Sequence, residues 1–401
     1  MLNISPIFNA MMRNKSSIIL IVLQIALTLA IVSNAAFIIK GRIDDMQRGS
    51  GLAETQLIGF HMYFYDDAVN IADQLLLDQQ KVLELPGVID ATAINQIPLS
   101  GSGDSWTFRN QLDSDGAQNI NAGVFLGNYN IANVFGHKII EGRNFRPDEL
   151  VIRERDGNTP KVTIITQALS DKLFPEGNAL GKFIYSADVP VQVIGIIDKM
   201  QGSWLHSPMV EQTALMPVLN VRKFMRFIIH VEAEQVDSVI ANVQQFLLAQ
   251  ENRRVISSAE TLLEKKKRSY QSDKLMTNML IVIIAVLIFI TALGIAGMTV
   301  FNVNRRQKQI GTRRALGASR LDILRYFMTE SAVIALIGIT IGVVLALVLN
   351  NYLMTYFSTS SLAFNYIVTT LVGIIVVVEF AVFWPARKAS MISPAIATRS
   401  V

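Results

Sequence analysis

The residues whose side chains could do chemistry are few, and their spacing decides what each can do. The histidines, His61, His137, His206 and His230, are scattered, with no HExxH and no paired spacing, so no metal site is expected. Cysteine is absent, which removes thiolate chemistry and disulfides. Gly177–Lys182 (GNALGK) has the outline of a phosphate loop. It is one residue short between its glycines, and Phe183 stands where Ser or Thr would meet magnesium, so it reads as a turn. No GxSxG elbow marks a nucleophilic serine, and no catalytic residue is assigned. Glu379 sits inside an apolar run, where a charge costs on the order of 3 kcal/mol unless neutralised, paired or near the interface. It reads either as a proton or cation relay or as a polar contact, with Gln24 or with interfacial water.

The densest polar signal is Arg305 to Arg325, with seven Lys/Arg against one acid, Asp322. It contains Gln309, Ile310, Gly311, Arg313, Arg314, Leu316, Gly317, Arg320, Ile323 and Leu324. Gly311 and Gly317 permit tight turns. Arg313, Arg314 and Arg320 can pair with acids on a partner, and Leu316, Ile323 and Leu324 can fill an apolar groove. The alternative is that these arginines only orient a span and meet lipid headgroups.

The elements around this segment point to a membrane. Met279–Val300 carries no charge and at about 1.5 Å per residue can cross a hydrocarbon core of about 30 Å. Comparable runs cover 17–40, 327–350 and 366–386. A cleaved signal peptide with Ser33-Asn34-Ala35 as its site is disfavoured, because the first run exceeds the usual signal core. Half the 401 residues are hydrophobic, 17% are charged and mean hydropathy is +0.37, too apolar for an ordinary soluble enzyme. The net charge of +4, with basic residues beside the apolar runs, points to membrane orientation and away from nucleic acid.

Residues 41–258 differ in character. Leu57–Phe64 predicts a strand, Ala68–Leu85 a helix and Val88–Ile94 a strand. The order recurs in Phe227–Val231, Val236–Gln250 and Arg254–Ser257. Two β-α-β halves imply one α+β unit with a β-rich insert of about 96–220, whose clearest strands are Val162–Thr166 and Val191–Ile197. Residues 259–304 predict one long helix, a polar stalk with Lys265-Lys266-Lys267-Arg268 on a solvated face running into the second span. A connecting loop at 305–326, a charge-free loop at 351–365, an amphipathic lead-in at 1–16 (Ser5-Pro6, then Ile7, Phe8, Met11 and Met12) and a tail at 387–401 complete the plan. Arg13/Lys15, the 305–326 segment and Arg387/Lys388/Arg399 share one side, which puts both termini in the cytoplasm and the large domain outside. Long domains cross regardless of charge, so the lysine cluster does not overturn this.

Gln309–Ser331 (QIGTRRALGASRLDILRYFMTES) closely resembles the signature of MacB/FtsX-type (type VII) ABC permeases. Phe383–Arg399 is similar to their C-terminal ending. Gly142–Glu149, Val162–Ile184 and Val193–Ile197 are similar to their periplasmic core domain. The resemblance implies a stand-alone, four-span permease subunit of the bacterial inner membrane in a one-plus-three layout. Its external domain has a ferredoxin-like porter part and a β-rich sabre part. It further implies no directly bound cofactor, and ATP and magnesium on a separate ATPase subunit docked at 305–326. The expected partners are a second permease copy as homo- or heterodimer, membrane lipid, a periplasmic adaptor and a TolC-like outer-membrane channel. Efflux of peptide- or antibiotic-like amphiphiles is the expected activity. Lipoprotein extraction, control of cell-wall hydrolases and a membrane-anchored sensor are the alternatives. Gln309 replaces a common Glu, Val382 a common Gly, and the fused N-terminal ATPase of MacB is missing.

Overall fold

The computed structural model describes residues 15–112, 118–153, 159–357 and 361–393. The predicted lead-in up to residue 14 and the ending from 394, Arg399 included, lie outside them. The chain divides into two compact units, residues 45–272 and residues 1–44 with 273–401.

The first helix, α1 (Lys15–Gln47), is followed by the soluble unit. Its strands and helices are β1 (Leu57–Phe64), α2 (Ile71–Val82), β2 (Val88–Ile94), β3 (Ser105–Phe108), β4 (Ile120–Gly127), β5 (Ile139–Gly142), β6 (Val151–Arg153), β7 (Val162–Thr166), α3 (Gln167–Leu173), β8 (Phe183–Ser186), β9 (Val189–Ile197), β10 (Thr213–Asn220), β11 (Phe224–Val231), α4 (Val236–Gln250), β12 (Arg254–Ile256), β13 (Glu260–Thr261) and α5 (Leu262–Ser269). At one end the sheet order is β12-β1-β11-β2, every neighbouring pair antiparallel. Two β-α-β units therefore interlock, each placing one strand between the strands of the other, which is the ferredoxin-like arrangement. Alternation in β1 explains why it sits centrally: Ile58, Phe60, Met62 and Phe64 pack with Leu75 of α2 and Val239, Val243 and Leu247 of α4. Helix α2 begins where Asn70 accepts from the Asp73 amide.

Strands β3 to β10 form the inserted part, joined to the porter sheet through the pair Ile94↔Gly127. It buries a core of its own around Phe108, Leu169, Ile184, Val193 and Met216. Gly142, at the end of β5, has φ +84°, and a Cβ there would lie 2.2 Å from the Ile194 carbonyl oxygen, so only glycine closes this corner.

The predicted single helix from 259 onward is corrected. Thr261 and Glu264 form a reciprocal capping box that starts α5 afresh, and α5 ends at Tyr270 before the second membrane helix begins. Its cluster is no bare solvated face. Lys266 reaches Glu54 at 2.7 Å and the Arg48 carbonyl at 3.0 Å, while Lys265 reaches Glu260 at 2.7 Å. The Tyr270 hydroxyl donates to the Asp45 carbonyl at 2.9 Å. These contacts make α5 part of the soluble unit, which runs to residue 272 rather than 258.

The membrane unit contains α1, α6 (Gln271–Arg305), α7 (Gln307–Ala315), α8 (Arg320–Phe357) and α9 (Phe364–Ser390). Four of these, α1, α6, α8 and α9, are long and apolar enough to cross a membrane. A Cβ at Gly338 would meet Ile25 at 2.9 Å, and one at Gly342 would meet Ala26 at 3.0 Å, so the small-xxx-small stripe of α8 is where α1 packs. Thr28 and Thr291 share a hydrogen bond of 2.9 Å, and Asn34 donates to the Ala346 carbonyl at 3.1 Å. Two predicted boundaries shift: α8 continues past 350, and α9 runs beyond 387 through Pro385 to Ser390.

Candidate functional site: the basic helical turn

The predicted loop at 305–326 is a helix and a turn. Gly311, expected at a turn, lies buried inside helix α7 beside Ile310. The helix stops at Gly317, whose φ of +99° only glycine adopts freely. There the Ala318 amide donates to the Arg313 carbonyl at 3.0 Å and the Gly317 amide to that of Arg314 at 3.2 Å. Ser319 then starts α8. Its Oγ accepts from the Asp322 amide at 3.1 Å, and Asp322 accepts from the Ser319 amide at 2.9 Å. The turn is thus fixed by hydrogen bonds on both sides.

That geometry sorts the predicted residues. Leu316 is 83% exposed at the tip. Gln309, Arg313, Gly317 and Arg320 are exposed around it, and Arg314 is half-buried with its Nε buried and unpartnered. Ile310 and Ile323 are buried among the spans with Phe327, and Leu324 packs against the same cluster. Ile323 is therefore core and does not fill a partner's groove, because its turn of α8 faces inward. Among the described residues neither Arg313 nor Arg320 has an acidic partner within ion-pair distance. The Arg313 guanidinium lies over the Tyr326 ring at 4.8 Å.

One pair was not foreseen. Arg306, at the joint between α6 and α7, donates through Nη1 to both carboxylate oxygens of Glu330 at 3.1 and 3.0 Å, and reaches the Tyr326 hydroxyl at 3.4 Å. Both side chains are largely buried. Glu330 borders a cavity of about 30 Å³ that Asn302 and Ser331 also line. An acid facing an arginine across a helical joint carries no local motif; the only trace is a carboxylate, Glu330, close to the start of an apolar run. Glu379 lies within hydrogen-bonding reach of Ser331, not of Gln24. The Gln24 amide instead lies over Gly294 of α6.

No group of three or more His, Asp or Glu is placed to hold a metal among the described residues. His61 and His137 are held down to about 4, in both cases chiefly by burial, with Lys265 and Arg226 adding to the effect at His61. Burial lowers His230 as well, against the opposing pull of Asp90. Since these folded values lie below the ordinary 6.5, the unfolded chain binds more protons in that interval. Stability is full above about pH 6.5 and falls toward pH 4. The protein in detergent is expected to melt lower at pH 4.5 than at pH 7.5, and His137→Leu to flatten that difference. Glu251, lowered to about 2 by Arg253, adds to the loss only as the pH falls through about 4.5 and below.

The FtsX-like permease C-terminal family matches residues 281–394, the region holding α7, the turn and α8. The MacB-like periplasmic core domain family matches residues 17–246, more than half the chain. The chain belongs to the MacB/FtsX-type permeases. It is 25% identical over 399 residues to the macrolide export ATP-binding/permease protein MacB of Chromobacterium violaceum, covering 96% of this chain and 58% of that protein. It is 26% identical over 301 residues to the pyoverdine export ATP-binding/permease protein PvdT of Pseudomonas aeruginosa, covering 70% of this chain and 43% of that protein. The chain spans about half the length of the curated relatives it matches. The periplasmic region of MacB from Actinobacillus actinomycetemcomitans aligns with 52% of this chain and 90% of its own at 11% identity, with a TM-score of 0.34. As a member of these permeases the protein is a membrane protein with four apolar helices and an external core domain.

Proposed function

We propose that the chain is the membrane-spanning part of an ABC exporter, and that α7 and its turn receive force from an ATP-binding partner on the cytoplasmic side. The observation that carries this is an 83%-exposed Leu316 on a hydrogen-bonded turn, flanked by Arg313 and Arg320, neither of which has an acidic partner among the described residues. An exposed large apolar residue ringed by unpaired cations fits an apolar groove with an acidic rim. The basic residues near the ends of α6 and α9 orient this side inward and the soluble unit outward. ATP and magnesium then belong to the partner, and the permease works with a second permease copy. The cargo is an amphiphile of peptide or antibiotic type, passed to an adaptor and an outer-membrane channel; the relatives' names as macrolide and pyoverdine exporters support an amphiphile class.

Reversing Arg313 and Arg320 to Glu tests the docking. Arg314 is left alone because its Nε is buried. The double variant is expected to insert normally and to lose at least nine-tenths of the ATP-binding protein that co-purifies. Leu316→Asp is expected to do the same. Undiminished co-purification of either variant refutes the docking role.

A further inference from the structure

The ferredoxin-like sheet has two faces, and α2 and α4 cover one of them. On the other face, toward the Phe64 end of β1, lie Tyr63, its neighbour Val255 on β12, and its neighbour Phe224 on β11. They are 45%, 61% and 47% exposed. The next pair along the same face is His61↔Arg226.

These residues make a particular surface. The His61 ring stacks on Phe224 at 5.4 Å with 17° between the planes, and the Arg226 guanidinium lies 5.0 Å from the centre of the same ring. Arg226 is half-buried and gives one N–H to the Asn95 carbonyl, yet no carboxylate among the described residues pairs with it. The acid whose charge acts on it, Asp104, is engaged by Asn95 at 2.9 Å. His61 Nδ1 is buried without a partner. Lys265 adds positive charge near His61 but is bound to Glu260 at 2.7 Å, which also holds Arg268. No Arg226 nitrogen is among the buried atoms left without a partner, so the N–H groups not given to Asn95 stay open at the surface, where an anion can take them. Aromatic rings and Val255 on the adjoining strands supply an apolar shelf two strand spacings wide, about 10 Å.

We propose that this open face binds an acidic amphiphile, its carboxylate or phosphate on Arg226 and its apolar tail across Phe224, Tyr63 and Val255. A fixed, planar, bidentate donor selects anions over cations, and the stacked rings select a tail over a bare ion. The inference rests on the permease reading only for the fate of the ligand, since binding is measured without ATP hydrolysis.

The test is titration calorimetry of the full chain in phosphatidylcholine nanodiscs, with empty nanodiscs subtracted, using octanoate and octyltrimethylammonium. Octanoate is expected to bind saturably and octyltrimethylammonium not to. Arg226→Gln should raise the octanoate Kd at least tenfold and Phe224→Ala several-fold, with Arg226→Lys retaining part of the affinity. If Arg226→Gln melts lower than the parent, Val255→Glu decides, because it adds repulsion at an exposed position without touching the buried groups. Equal binding of the two probes, or octanoate affinity unchanged by Val255→Glu and Arg226→Gln, overturns the proposal. Spontaneous cross-linking of Val255→Cys between copies, with no octanoate bound, assigns the face to a second copy and overturns it as well. Loss of the ATP-binding partner in the Arg313/Arg320 variant leaves octanoate binding intact, which separates the two readings.

Discussion

Asp78→Ala is expected to lower the melting temperature of the protein by roughly 10 °C. Asp78 on α2 and Arg254 on β12 are both fully buried, and they pair through both guanidinium ends, with Nη2 to Oδ1 at 3.0 Å. The rest of the guanidinium is also engaged: Nη2 donates to the Leu247 carbonyl at 2.6 Å and Nε to that of Glu251 at 3.1 Å. Asp78 receives a further bond from Gln74 at 2.8 Å. Removing the carboxylate leaves a cation in the core beneath Phe64, and breaking such a pair costs about 3–5 kcal/mol. Replacing both partners with Asp78→Leu and Arg254→Met should recover most of the loss, because no charge is then stranded. The measurement is thermal unfolding in detergent followed by circular dichroism. A single variant that melts with the parent would show that water reaches the pair.

Position in the sequence explains what could be read without the structure. Strand β1 shows period-two alternation from Leu57 to Phe64, and the spans are uninterrupted apolar runs, so both elements are visible one residue at a time. The helix break at Tyr270 was hidden because Lys265–Arg268 looks like a continuous polar stalk, although Thr261 and Glu264 had the spacing of a capping box. Gly311 reads as a turn residue on its intrinsic preference, whereas it lies buried inside a helix beside Ile310. Leu316 and Ile323 looked equivalent, since only the turn at Gly317 determines that one points outward and the other into the bundle. Asp78–Arg254 and Arg306–Glu330 lie 176 and 24 residues apart, so neither pairing has a local signature.

Glu330→Leu is expected to be the most disruptive single change in the membrane unit. The carboxylate neutralises Arg306 where α6 gives way to α7, and both side chains are shielded from solvent. Truncating one partner strands the other, at about 3–5 kcal/mol. Arg306→Met combined with Glu330→Leu should restore most of the melting temperature, since the joint then packs without charge. Docking should not return with it. Beside the packing of Ile310 with Ile323 and Phe327, two polar contacts tie α7 to α8: the Arg306–Glu330 pair, and Arg313 resting on Tyr326, which itself touches Arg306. An apolar replacement keeps the helices together without fixing that angle, so Leu316 and Arg320 no longer meet the partner in register. The charge-swapped pair, Arg306→Glu with Glu330→Arg, keeps a directional bond and should regain part of both properties. Melting temperature and co-purification of the ATP-binding protein, measured on the same three variants, therefore separate holding the bundle together from aiming the turn. If the apolar double variant retains full docking, the aim comes from the Gly317 turn alone and the buried pair serves stability only.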